Sequence, residues 1–139
     1  KLTGAKLGGA NLVRADLRTT DLRLADLRDA KLGRVKLVRA DLRRADLREA
    51  NLRDADLREA NLWDVNLRDV NLWGANLQGA DLREANLREA NLRETNLRDA
   101  NLWGANLRGA EFSRHPTQLG ARWGKGLPPR NLDRIIILS

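Results

Sequence analysis

Residues able to carry catalysis are few in this chain and poorly placed for it. The one histidine, His115, stands directly before Pro116, and the two serines are Ser113 and Ser139. A serine triad needs Ser and His gathered in a pocket with a carboxylate behind them; a lone His before Pro reads as a turn residue. Cysteine is absent, which excludes thiol chemistry, zinc-thiolate sites and disulfides and leaves the compartment open. The 19 carboxylates recur at regular intervals beside Arg, whereas a glycosidase pair needs two carboxyls flanking a cleft. The glycines do not have the spacing of a phosphate-binding loop. These residues predict no enzyme, no metal site and no cofactor.

What does recur is a period of five. Leu occupies every fifth position from Leu2 to Leu107, and Phe112 closes a series of 23 units without an insertion. Two residues before each stands a small side chain, nearly always Ala, otherwise Val35, Val65, Val70, Thr20 or Thr95. Between them lies Asp or Asn in most units, as in Ala50-Asn51-Leu52. Helical faces recur every 3.6 residues and strand faces every 2. On a helix, a Leu every five residues would advance by about 140° per step and give no apolar face. The leucines share one core only if the backbone turns a corner once per unit. Four units then close a coil of 20 residues, and coils stack as strands do in a sheet. The 42% hydrophobic content, concentrated at these positions, is therefore an ordered core despite 32% charged residues.

The unit A-(D/N)-L-x-x resembles that of the pentapeptide-repeat family, over residues 1–112. The resemblance implies an all-β solenoid, a right-handed quadrilateral parallel β-helix with four five-residue units per coil and nearly six coils. It also implies inward Leu and Ala, with the other three positions outward.

Stacking at 20 residues places outward side chains in columns about 4.8 Å apart. One column reads Gly8, Arg28, Arg48, Arg68, Arg88, Arg108, beside Gly9, Asp29, Glu49, Asp69, Glu89, Gly109. The acidic column is expected to neutralise the guanidiniums, each exposed pair contributing under about 1 kcal/mol; the functional alternative is an anion-binding stripe. Another column reads Arg23, Arg43, Trp63, Arg83, Trp103, which would sandwich Arg83 between two indoles for cation–π stacking. Trp73 falls on the opposite side. These rings either stiffen the stack or form a binding hot spot. The Asn column Asn51, Asn71, Asn91 is expected to hydrogen-bond amides or corner backbone and to tolerate the left-handed conformation there.

Charge divides the chain. Residues 1–44 carry 12 basic and 5 acidic side chains, with Lys1, Lys6, Lys31 and Lys36 replacing Asp or Asn and Gly8, Gly9 and Gly33 replacing outward side chains. Residues 45–110 carry 9 basic and 12 acidic, and the rest 5 basic and 2 acidic, for a net +7 overall. No apolar run approaches the roughly 20 residues of a membrane span. Opening on Lys within a repeat predicts a processed or trimmed fragment.

After Phe112 the period stops. Residues 113–139 hold all three prolines and Trp123; Leu127-Pro128-Pro129 interrupts regular structure, and Arg134 to Leu138 reads as a strand. A solenoid needs its last coil covered. The expectation is a cap, with a flexible tail or a homodimer contact through Phe112, Trp123, Ile135, Ile136, Ile137 and Leu138 as alternatives.

The function expected is a non-catalytic structural or protein-interaction scaffold with an unidentified protein partner. Resemblance adds an alternative, a DNA-mimicking regulator of DNA gyrase, because some members of the family protect or inhibit gyrase as an acidic rod of duplex width. A pI near 10.9 opposes it. Direct nucleic-acid binding through the basic coils of residues 1–44 is a third reading.

Overall fold

The computed structural model describes residues 1–113 and the backbone of 136–138. Residue n bridges in parallel to residue n + 20 at the Asp, Asn or Lys position of unit after unit, from Lys6↔Asp26 to Asn91↔Glu111. The coil is therefore 20 residues, four units, as the spacing requires, and the chain is a parallel β-solenoid.

Each unit turns one corner, by the same device throughout. The N–H of the small fifth residue donates to the C=O of Leu three residues earlier, as Ala55 does to Leu52 at 3.0 Å. The fourth residue has positive φ in every unit from Gly4 to Gly109, between 54° and 74°. Positive φ at the third residue of a four-residue turn is the type II signature. Sixteen of these 22 positions are not glycine, so the corner strains ordinary side chains. Asp and Asn of the first position do not take the left-handed conformation expected of them. They lie on the extended side, where they make the bridges, and the left-handed residue is the one at the corner.

Backbone donors are almost fully accounted for. In the interior coils, the first residue's N–H donates to the coil before, and the N–H groups of Leu and of the fourth residue donate to the coil after, at 2.7–3.1 Å. The fifth closes the corner. Only the third N–H lacks a backbone acceptor, and the first residue's Oδ1 takes it: Asn51 from Arg53 at 3.1 Å, Asp56 from Arg58 at 3.3 Å. A buried or half-buried N–H needs a partner, which gives the Asx at the first position a structural reason. Lys1, Lys6, Lys31 and Lys36 have no side-chain acceptor, and the third N–H of their units (Thr3, Gly8, Gly33, Val38) has no partner among the described residues.

The Leu of every fifth position and the small residues from Leu22 to Ala110 fill the interior, each such Leu no more than 1% exposed. Burying one such side chain stabilises by about 1.5–3 kcal/mol. Leu2, Leu7, Leu12 and Leu17 are only partly buried, because the first coil packs on one neighbour, not two. Thr95 is the one buried polar side chain among the described residues, and its Oγ1 donates to the Leu72 carbonyl at 2.8 Å. Phe112 is buried where the leucines end.

Among the described residues two strands stand at the end of the repeats: β1, Glu111–Ser113, and β2, Ile136–Leu138, paired in parallel with Phe112 opposite Ile137. The strand read in the sequence is thus present over Ile136–Leu138. Trp123 and Ile135 lie outside the described residues.

Candidate interaction surface

Charged side chains on the sides of the coil pair by a local rule. Every Asp-Leu-Arg unit closes a bidentate fork between its own first and third residues. Arg28 donates through Nε and a terminal nitrogen to Asp26 at 2.8 and 2.7 Å, Arg48 to Asp46 at 2.9 and 2.7 Å, and Arg83 to Asp81 at 2.8 and 2.6 Å. Residues two apart on an extended stretch point the same way, and the planar guanidinium matches a carboxylate with two parallel bonds. The fork holds the carboxyls low: the hydrogen bond from Arg18 brings Asp16 down to about 2, and that from Arg28 does the same for Asp26. Asp41, Asp46, Asp56 and Asp81 are lowered by the same cause.

The acidic fourth column is therefore not the main neutraliser of the Arg28–Arg108 stripe. Arg28 and Arg48 are held by their own Asp, and only Arg68 turns to the adjoining residue, Asp69, at 3.0 Å, because Asn66 gives it no carboxylate. Arg88 and Arg108, in units opened by Asn, have no ion pair among the described residues, and Nε of Arg88 is buried without a hydrogen bond. Some corner acids pair along their own column, as Glu59 does with Arg39 at 2.7 Å, and others with the third residue of their own unit, as Asp99 does with Arg98 at 3.7 Å.

The indole sandwich also fails. Arg83 does stand between Trp63 and Trp103 in the 20-residue register, but the Asp81 fork holds its guanidinium. The cation–π contact found among the described residues lies across the molecule, with Arg53 over the Trp73 ring, 4.2 Å from its centroid. Asn51 again explains it: lacking a carboxylate at the first position of its unit to fork with, Arg53 lies on the ring of the next coil.

The family model described as pentapeptide repeats (8 copies) matches residues 1–37, 36–74 and 75–114. The chain belongs to the pentapeptide-repeat family. No curated protein matches it. Among solved structures it is similar to Rfr23 of the cyanobacterium Cyanothece 51142, at 34% identity and TM-score 0.75 over 78% of this chain and 88% of that one. It is similar to HetL of the cyanobacterium Nostoc sp. strain PCC 7120, a protein involved in heterocyst differentiation regulation, at 35% identity and TM-score 0.69. That match covers 80% of this chain and 58% of HetL, so the chain spans little more than half of that relative. QnrB1, a plasmid-mediated fluoroquinolone resistance protein, shares the fold at 19% identity and TM-score 0.51, over 81% of this chain and 67% of that one.

The four sides of this pentapeptide-repeat solenoid differ. On the side of Trp63 the described residues carry five basic and five acidic groups. The same side holds three of the four exposed large apolar residues among the described ones, Leu24, Trp63 and Trp103, exposed by 58%, 38% and 58%. Leu24 is at a left-handed corner, φ 59°, which turns it outward. Sequence reading missed Leu24, although a Leu outside the five-residue phase is visible as such. With Thr3, Arg23, Arg44 and Trp63 it lines a shallow hollow of about 270 Å³. The opposite side, with Gly33 and Trp73, carries five basic and three acidic groups. Among the described residues no group of His, Asp and Glu is arranged to hold a metal ion, and no helix is long and apolar enough to cross a membrane.

Proposed function

We propose that this chain is a non-catalytic protein-binding scaffold, a right-handed quadrilateral rod whose Trp63 side carries the partner contact. The observation that supports it is the row Leu24, Trp63, Trp103 on a side whose charges cancel and whose Arg23, Arg43 and Arg83 are already forked to Asp. Exposed aromatic groups on a rigid, electrically balanced surface suit a protein partner, since contact centres favour Trp and exclude unpaired charge. In this reading residues 113–139 cap the rod, supported by the pairing of β2 with β1.

The experiment places a photo-crosslinking residue at position 63 and, as a control, at position 58 on a neighbouring side. A specific adduct from position 63 alone, followed by binding of the purified partner that Trp63→Ala with Trp103→Ala abolishes, supports the reading. Equal adducts from both positions contradict it. The gyrase alternative has little surface to rest on, because no side of the described rod carries more acidic than basic groups. A supercoiling assay, with a duplex gel shift as control, is expected to show neither inhibition nor protection.

A further inference from the structure

Gly33 leaves a gap in the column Val13, Gly33, Arg53, Trp73. The gap is a dent of about 430 Å³, walled by Val13, Arg14, Arg34, Arg53 and Asp54. Three features of this dent coincide nowhere else among the described residues. The first is an open backbone donor. In Asx units the third N–H points outward to the first residue's side chain; in this unit that residue is Lys31, so the Gly33 N–H stands free beside a cation. The second is a shortage of counter-charge. Arg34 and Arg53 share one carboxylate, Asp54, at 3.7 and 3.8 Å, beyond hydrogen-bonding distance, and Arg14 has no ion pair among the described residues. Asn51 brings no charge, and its Oδ1 already accepts from the Arg53 N–H. The third is room, since a Cβ built on Gly33 meets nothing nearer than the Arg53 carbonyl at 3.9 Å.

We propose that this dent binds a single phosphate-bearing group, held by the Gly33 N–H, Arg14, Arg34 and Arg53. A phosphate monoester offers three acceptor oxygens and nearly two negative charges, and guanidinium forks and free N–H groups are what recognise it. The site is discrete. Along the rod Arg53 is covered by Trp73, and on the next two sides most guanidiniums of the early coils are already forked to Asp. An extended polyanion would need a row of free cations, and this surface has one cluster.

The test is an amide NMR titration of the intact chain in phosphate-free buffer with inorganic pyrophosphate, a phosphoserine peptide and a short DNA duplex. The expected result is a saturable shift of the Gly33 amide. Saturation by pyrophosphate alone identifies a free ion as the source, and saturation by the peptide identifies a modified protein. Arg34→Gln should weaken binding about tenfold, the worth of one hydrogen bond to a charged group. Gly33→Glu, which fills the dent with a carboxylate at an unstrained position, should abolish it. Asp54→Asn should tighten it, and Arg58→Gln, which removes a cation already forked to Asp56, should change it less than about twofold. Absence of a saturable shift, equal loss in Arg58→Gln, or a response to the duplex alone would overturn the proposal.

Discussion

At the scale of single residues, the first position of each unit has two separable tasks. Its Oδ1 accepts the third N–H, and, when it is Asp, its carboxylate also holds Arg. Asp56→Asn should keep the first and lose the second, costing under about 1 kcal/mol because the pair is solvent-exposed. Asp56→Ala loses both and should cost about 1 kcal/mol more in urea unfolding, the ordinary worth of a backbone hydrogen bond. Corners carry a different residue-scale cost. Thr19 is β-branched yet sits at φ 56°, so Thr19→Asn, a residue that tolerates this region, should stabilise by about 0.5–1 kcal/mol. The forks also set an acid limit. Asp16 and Asp26 titrate near 2 when folded against 3.8 ordinarily. A carboxyl with a depressed folded value contributes stability above its unfolded value and loses it as pH falls toward the folded one. Thermal stability should therefore be level from pH 7 to about 5 and decline between about 4 and 2, as melts across pH will show.

At the scale of the five-residue element, the core is uniform and the corner is not. Leu62→Ala, in a fully buried column, should cost about 2–5 kcal/mol by the cavity it leaves. Leu2→Ala should cost much less in the same unfolding experiment, because Leu2 is only partly buried in an end coil. The five-residue spacing of Leu and Ala made the coil legible in the sequence, since no helix or strand period gives those leucines a common core. The charge pairing was less legible. Columns 20 apart are read easily from a repeat, but the partner of Arg28 is two residues away, Asp26, and finding it requires knowing that positions one to three are extended while position four bends. The Arg53–Trp73 contact was hidden for the same reason: it follows from the missing carboxylate at Asn51, not from column order. Lys31 and Gly33 were visible as departures from the repeat, yet their meaning depends on which N–H the repeat normally satisfies.

At the scale of the molecule, identical coils would give a rod with four equivalent sides, and the departures from identity distinguish them. Leu24, Trp63 and Trp103 make one side apolar and neutral; Lys31, Gly33 and Arg34 make the opposite side cationic and indented. Both rest on one claim, that a single 20-residue register runs through the chain and that Asx supplies the only acceptor for the third N–H. Amide hydrogen exchange tests it most directly. After correction for intrinsic rates, the account predicts strong protection of the Leu amides in the interior coils. Third-residue amides of Asx units, such as Arg43 and Arg58, should be protected, while Val38 and Gly33, in the Lys36 and Lys31 units, should exchange about a hundredfold faster. Equal protection of Val38 and Arg58 would contradict the account.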